Sequence, residues 1–243
     1  MRNWIEIDGV RSTQMGLKIA RLPLWPVAAE TAEPVAVPAV PTAVMQRTGN
    51  FENIEMEITA YLTRWPSPDD LARINKWLMS GKKLLFSTQP EMYGVIQHVG
   101  QIAPVRVGTR ANEIVIPLTM QPFKYAVQNA PVTFTERSFT LHNRGNIFCE
   151  PVFKLEISED AILDFFDVNN ERLTIQTNAL AGRTIYVDVL RRKVYYIEDG
   201  VMHVCQRYTV GRFWAQVLET GWNTIGITED ILSVEVTKNE RWL

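Results

Sequence analysis

Cysteine, histidine and long apolar runs are all scarce in this chain of 243 residues. Two cysteines, Cys149 and Cys205, are too few for a disulfide framework or a four-cysteine zinc site, and leave room for one bridge at most. The three histidines, His98, His142 and His203, stand far apart, with no pair at the spacing that shares a metal on one helix face. No stretch approaches the roughly 18 consecutive apolar residues of a membrane span, so no membrane insertion is expected. The nearest, Leu22 to Ala29, is short and broken by Pro23 and Pro26. Glu6 and Asp8 interrupt the apolar stretch that a signal peptide would need, so no export signal is expected either. Excess charge is missing too. Twenty-five Lys and Arg against 27 Asp and Glu give a net charge of −2, which excludes the strongly basic field of a non-specific nucleic-acid binder.

Catalytic signatures are equally thin. The chain has no Gly-x-Ser-x-Gly elbow, no phosphate-cradling loop and no dinucleotide fingerprint. Asp160, Asp164, Asp167, Asn169 and Glu171 resemble the start of a calcium loop, but Arg172 stands where glycine is required, so a solvated loop is expected there. Glu150, Glu156 and Asp188 fall on or near expected strands, where outward carboxylates are ordinary surface. A glycosidase would need two of them paired. No catalytic residue, cofactor or metal ligand is assigned, and no enzyme is expected.

With 46% hydrophobic, 10% aromatic and 21% charged residues, the composition is that of a globular protein. Its patterning is mainly β with one α-helix. Ile54 to Leu62 alternates apolar and polar residues without a break, placing one face on a core and one in water. Asp8-Gly9 marks a turn between antiparallel strands. Ser67, Pro68 and the acids Asp69 and Asp70 open a helix that Gly81 closes, with Leu71, Ile74 and Leu78 as its buried stripe. Strands are expected at Lys83 to Phe86, Tyr93 to Val99 and Ile114 to Met120. Beyond Pro131 short alternating runs follow one another with scarcely a helical stretch, the pattern of an antiparallel sandwich. The expected division is a domain over residues 1–133 and a second over 134–243.

One segment fits neither domain pattern. Five of the 13 prolines lie between Pro23 and Thr42, which forbids regular helix and confines any strand to an edge. Yet Leu24, Trp25, Val27, Val35, Val37, Val40 and Val44 make it apolar, unlike a solvated linker. Such a segment either lies on its own domain or serves as an arm against another subunit.

The order of these signals resembles the distal tail proteins of long-tailed, non-contractile bacteriophages, over essentially the whole chain. Ile7-Asp8-Gly9-Val10 with Met15-Gly16-Leu17 is similar to the family's opening hairpin. Gly49-Asn50-Phe51-Glu52-Asn53-Ile54 resembles the entry to its first long strand. Leu84-Leu85-Phe86-Ser87-Thr88-Gln89-Pro90-Glu91-Met92-Tyr93 resembles its strand and following turn, the most specific block. Asn143-Arg144-Gly145-Asn146, Ile185-Tyr186-Val187-Asp188 and Thr220-Gly221-Trp222-Asn223-Thr224-Ile225 resemble its galectin-like carboxy-terminal sandwich. Where members carry a Val-Pro-Gly-Arg-Asp-Gly turn, this chain has Val37-Pro38-Ala39-Val40-Pro41-Thr42.

The resemblance implies an amino-terminal β-sandwich or barrel-like ring domain and a non-enzymatic virion protein at the tail tip, assembled in the bacterial host cytoplasm. A homohexamer would join the tail tube protein to a tail-associated hub protein and, in many phages, to receptor-binding proteins, with DNA passing through its lumen. The proline-rich arm would clasp a neighbour, with the strand Ile54 to Leu62 as partner. The alternative from the sandwich and its tryptophans is a carbohydrate-binding protein recognising a host surface glycan, with Trp214 and Trp222 as stacking faces.

Overall fold

Turn chemistry sets the first elements. Asp8 and Gly9 both adopt positive φ (47° and 83°), and this tight reversal joins β1 (Ile5–Ile7) to β2 (Val10–Arg11). The computed structural model describes residues 3–21, 24–36, 38, 42–62, 65–107 and 111–243. Val37 and Val40 of the expected arm lie outside the described residues. Two compact units emerge, Met1–Val127 with Leu243 and Gln128–Trp242. The class is mainly β, with one α-helix among the described residues.

The first unit continues with β3 (Leu17–Arg21), β4 (Glu30–Val35), β5 (Val44–Phe51), β6 (Ile54–Leu62) and α1 (Pro68–Ser80). Then come β7 (Lys83–Phe86), β8 (Gln89–Val99), β9 (Pro104–Val107) and β10 (Ala111–Ala126). One antiparallel sheet runs β2-β1-β7-β8-β10-β6-β3, with β9 also pairing β10. The alternation in β6 is realised residue by residue: Ile54, Met56, Ile58, Ala60 and Leu62 are buried. Ile114, Ile116 and Leu118 of β10 lie opposite and share the core.

Helix α1 closes that core with Ile74, Trp77 and Leu78. Its start is a capping box: the Asp70 N–H donates to Ser67 Oγ at 3.1 Å, and the Ser67 N–H donates to the Asp70 carboxylate at 3.1 Å. Leu71, expected in the stripe, is only half-buried, and Trp77 takes the place. Gly81 is not a left-handed cap, since its φ is −76°. Its role is clearance, because a Cβ there would stand 1.9 Å from Ile7 Cγ2.

The second unit holds β11 (Val132–Phe134), β12 (Ser138–Asn143), β13 (Val152–Ile157), β14 (Asp164–Val168), β15 (Glu171–Ile175) and β16 (Thr184–Asp188). They are followed by β17 (Lys193–Glu198), β18 (Val201–Val204), β19 (Thr209–Gly211), β20 (Gly221–Ile227) and β21 (Ile231–Thr237). Two antiparallel sheets result, β11-β21-β13-β16-β17-β18 and β12-β20-β14-β15-β19. One apolar cluster joins their inner faces, with Phe153 of one sheet edge-on to Phe166 of the other at 4.7 Å. This is the sandwich expected from sequence.

The solvated loop expected around Asp164 and Asp167 is instead the β14–β15 hairpin, turned by Asn169 and Asn170 at positive φ. Asp164 is buried, and the Thr177 and Thr228 hydroxyls donate to it, which makes a carboxylate tolerable inside a strand.

Glu240 is buried too. Arg144 donates to its carboxylate through Nη2 at 2.7 Å and Nε at 3.0 Å, and Lys238 Nζ does so at 2.6 Å. Burial alone would raise this carboxyl, but these bonds outweigh it and hold the group down at about 2. A carboxyl lowered on folding contributes stability above its unfolded pKa and loses it as pH falls toward the folded one. The contribution, discounted for the exposed Arg144, is about 2 kcal/mol. In chemical denaturation at pH 7, Glu240→Gln is expected to lose that amount or more, and the gap to the parent should close between about pH 5 and 2. A gap independent of pH would assign the loss to packing instead.

Candidate assembly surface: the proline-rich hairpin and its root

Pro34 lacks an N–H, so the strand that contains it cannot sit inside a sheet. It lies in β4, which among the described residues pairs only with β5, in register Val35 with Val44 and Pro34 with Met45. The expected irregular arm is thus partly a two-stranded hairpin. Beyond its ladder, Thr48 Oγ1 donates to Thr31 O at 3.0 Å and Arg47 approaches Glu30 at 3.6 Å, both on exposed ground. Two strands without a second layer are marginally stable in water, so a hairpin of this kind gains from a partner. Val35, Val44 and Met45 are exposed near its tip, Met45 to 57%.

The root is held by aromatics. Trp25 stacks on Phe86 with ring centroids 4.2 Å apart, over Gly94, where a Cβ would meet the indole at 2.8 Å. Gly94 leaves the space that Trp25 fills. At the other strand, Phe51 lies edge-on to Phe123 of β10 at 5.5 Å, and the Glu52 N–H donates to Ala29 O at 2.9 Å. Trp25 is therefore spent on its own unit as an anchor, not offered outward. Its indole N–H is buried with no partner among the described residues, a cost that the stacking outweighs. Leu24 and Val27, on either side of it, are exposed.

An acceptor surface exists on the same unit. Among the described residues β3 reaches β6 only between Leu62 and Thr59, so Ile54 to Ile58 has β10 as its single neighbour. Beside that stretch an open groove of about 470 Å³ is lined by Glu55, Met56, Glu57, His98, Pro117 and Thr119, among others. It combines a free strand edge with a floor of mixed character, in which Glu55 and Glu57 stand beside Pro117 and His98.

No protein-family model matches the chain, and no curated protein matches it by sequence. Among solved structures, the crystal structure of SPP1 Dit (gp 19.1), described as a paradigm of the hub adsorption apparatus in phages infecting Gram-positive hosts, superposes with a TM-score of 0.74. The superposition covers 100% of both chains at 16% identity. The chain has the Dit fold. The phage P2 baseplate in its activated conformation with Ca overlaps more loosely, with a TM-score of 0.49 and 9% identity over 97% of each chain.

Within this Dit fold the remaining candidates are dispersed. Trp222 stands on β20, exposed and edge-on to His142 at 4.9 Å. Trp214 sits in a 3-10 turn against Phe213, and no ring contact joins the two tryptophans among the described residues. His203 stacks on Tyr196 at 5.0 Å, and His98 belongs to the groove. Each carboxylate that a glycosidase would need has a structural partner. Glu150 binds Arg241 at 2.8 Å, Glu156 accepts from Ser233 at 2.8 Å, and Asp188 accepts from the Arg191 N–H at 2.9 Å. Cys149 and Cys205 are free and buried, and burial pushes their thiols up to about 12 and about 11. Neither is poised as a nucleophile at neutral pH.

Sequence reading missed Trp25 as an anchor, although a tryptophan between prolines in an apolar stretch was in plain view. It names the strand Ile54 to Leu62 as the arm's partner, but which part of that edge is open, Ile54 to Ile58, appears only once β3 is seen to leave it halfway.

Proposed function

We propose that this protein is a non-enzymatic structural component of a phage tail tip, in which six copies close into a ring around a lumen. The observation that carries the reading is the full-length overlap with SPP1 Dit. Supporting it is a pair of different surfaces on one unit, an apolar hairpin that projects and a groove with an open strand edge. Two unlike surfaces associate head to tail and generate closed rings, whereas one self-complementary patch would stop at a dimer. The hairpin of each subunit docks on the neighbour's β6 edge. Burying Leu24, Val27, Val35, Val44 and Met45 there contributes at most about 3 kcal/mol per side chain, and half of that for the last three, which are already half covered, before the costs of association.

In this reading the ring joins the tail tube to a hub protein below, carries receptor-binding proteins at its periphery and sits in the virion tail after assembly in the host cytoplasm. DNA passes through a lumen that does not grip it, in keeping with the net charge of −2. Negative-stain imaging of the purified chain tests this directly. Annular particles with sixfold symmetry are expected, and a field of monomers at micromolar concentration refutes the proposal.

A further inference from the structure

The second unit leaves one strand edge bare. Among the described residues β18 is the last strand of its sheet, and Val201, Met202, His203 and Val204 are all exposed. Asp199 and Gly200 turn the β17–β18 hairpin with φ of 50° and 75°, the two-residue geometry in which Glu198 and Val201 exchange hydrogen bonds. Alternation then directs the backbone groups of Val201 and His203 toward β17, and the Cys205 N–H, donating to Val194 O at 2.8 Å, keeps the same phase. The N–H and C=O of Met202 and Val204 therefore point away from the sheet.

The outer face beside this edge is apolar. Ile197 pairs with Met202 and Tyr195 with Val204, and Tyr186 stacks on Tyr195 at 5.1 Å. Ile197 and Val204 are each more than half exposed. Edges of natural sheets are usually blunted by lysine, proline or a bulge, and β18 has none of these.

We propose that β18 pairs antiparallel with β18 of a second copy of this chain, merging two sheets into one. The register follows from the phase of the free groups. A two-fold axis at His203 sets Met202 opposite the partner subunit's Val204, and Val204 opposite the partner subunit's Met202. Each of these pairs exchanges two hydrogen bonds. The same register joins the two apolar patches on one face and brings Asp199, which has no ion pair among the described residues, toward the partner subunit's Arg207, twice over. Moving the axis to Met202 sets Val204 against the partner's glycine turn and loses both matches. A contact with two-fold symmetry ends at two copies, so it cannot be the one repeated around a ring. It joins ring to ring, and it stands independently of the hairpin reading.

Cross-linking of the full chain tests the register. His203 faces its own counterpart as a non-hydrogen-bonded pair, with Cα atoms about 4.5 Å apart, within disulfide reach. Mild oxidation of His203→Cys is expected to give a covalent dimer on non-reducing gels, with the buried Cys149 and Cys205 silent. Thr140→Cys, exposed on the other sheet, sets the background. Val204→Lys added to His203→Cys is expected to abolish the dimer, while substitutions in the hairpin leave it intact. Cross-linking of His203→Cys no greater than that of Thr140→Cys, or cross-linking that survives Val204→Lys, overturns the proposal.

Discussion

Changing Val35, Val44 and Met45 together to serine is expected to convert a sixfold ring into monomers while each unit stays folded. The three side chains lie toward the tip of a hairpin that, among the described residues, stands outside both cores, and each is only about half covered, so both units are expected to stay folded. In the assembly each residue forfeits up to about 1.5 kcal/mol, half the value of a full burial because half of each is already covered, and the loss recurs at all contacts of the ring. The sum exceeds the tenfold in dissociation constant that about 1.4 kcal/mol represents by several powers of ten. Light scattering with circular dichroism on the same samples reads both halves of the expectation. Hexamers that persist would remove the hairpin from the interface.

Trp25→Ala should act on the same assembly from the inside. It vacates the space over Gly94 and strips Phe86 of its stacking partner, a core truncation of about 3 kcal/mol or more. Both the thermal midpoint and ring formation should fall, since the root of the hairpin loses one of its two aromatic anchors. Trp25→Phe is the informative companion. It keeps a ring on Phe86 and removes an indole N–H that has no partner among the described residues, so stability near that of the parent and intact rings are expected. A Trp25→Phe protein as unstable as Trp25→Ala would mean that the indole shape, and not stacking, holds the strap.

What could be read in advance follows from how local the physics is. The β6 alternation is self-contained, because burying one face of a strand forces a period of two on its own residues. Helix α1 announces itself through Ser67, Pro68 and Asp70, whose capping bonds span three residues. Asp164 is the opposite case. A carboxylate in an acidic stretch reads as solvated, and only Thr177 and Thr228, far along the chain, explain its burial. Gly81 reads as a cap from its position, yet its purpose is set by Ile7. Four residues of β18 are too few to display a period at all. At the candidate interface the apolar character of the proline-rich segment was legible. Its division into an inward anchor and an outward tip was not, since Trp25 finds Phe86 and Gly94 some sixty to seventy positions later.

The two sulfurs in the sandwich have a last consequence. Held away from water and almost wholly protonated at neutral pH, they are slow to react with oxygen, metals or one another. A part built this way needs neither reducing surroundings to survive nor oxidising ones to mature, and its covalent structure is the same in both.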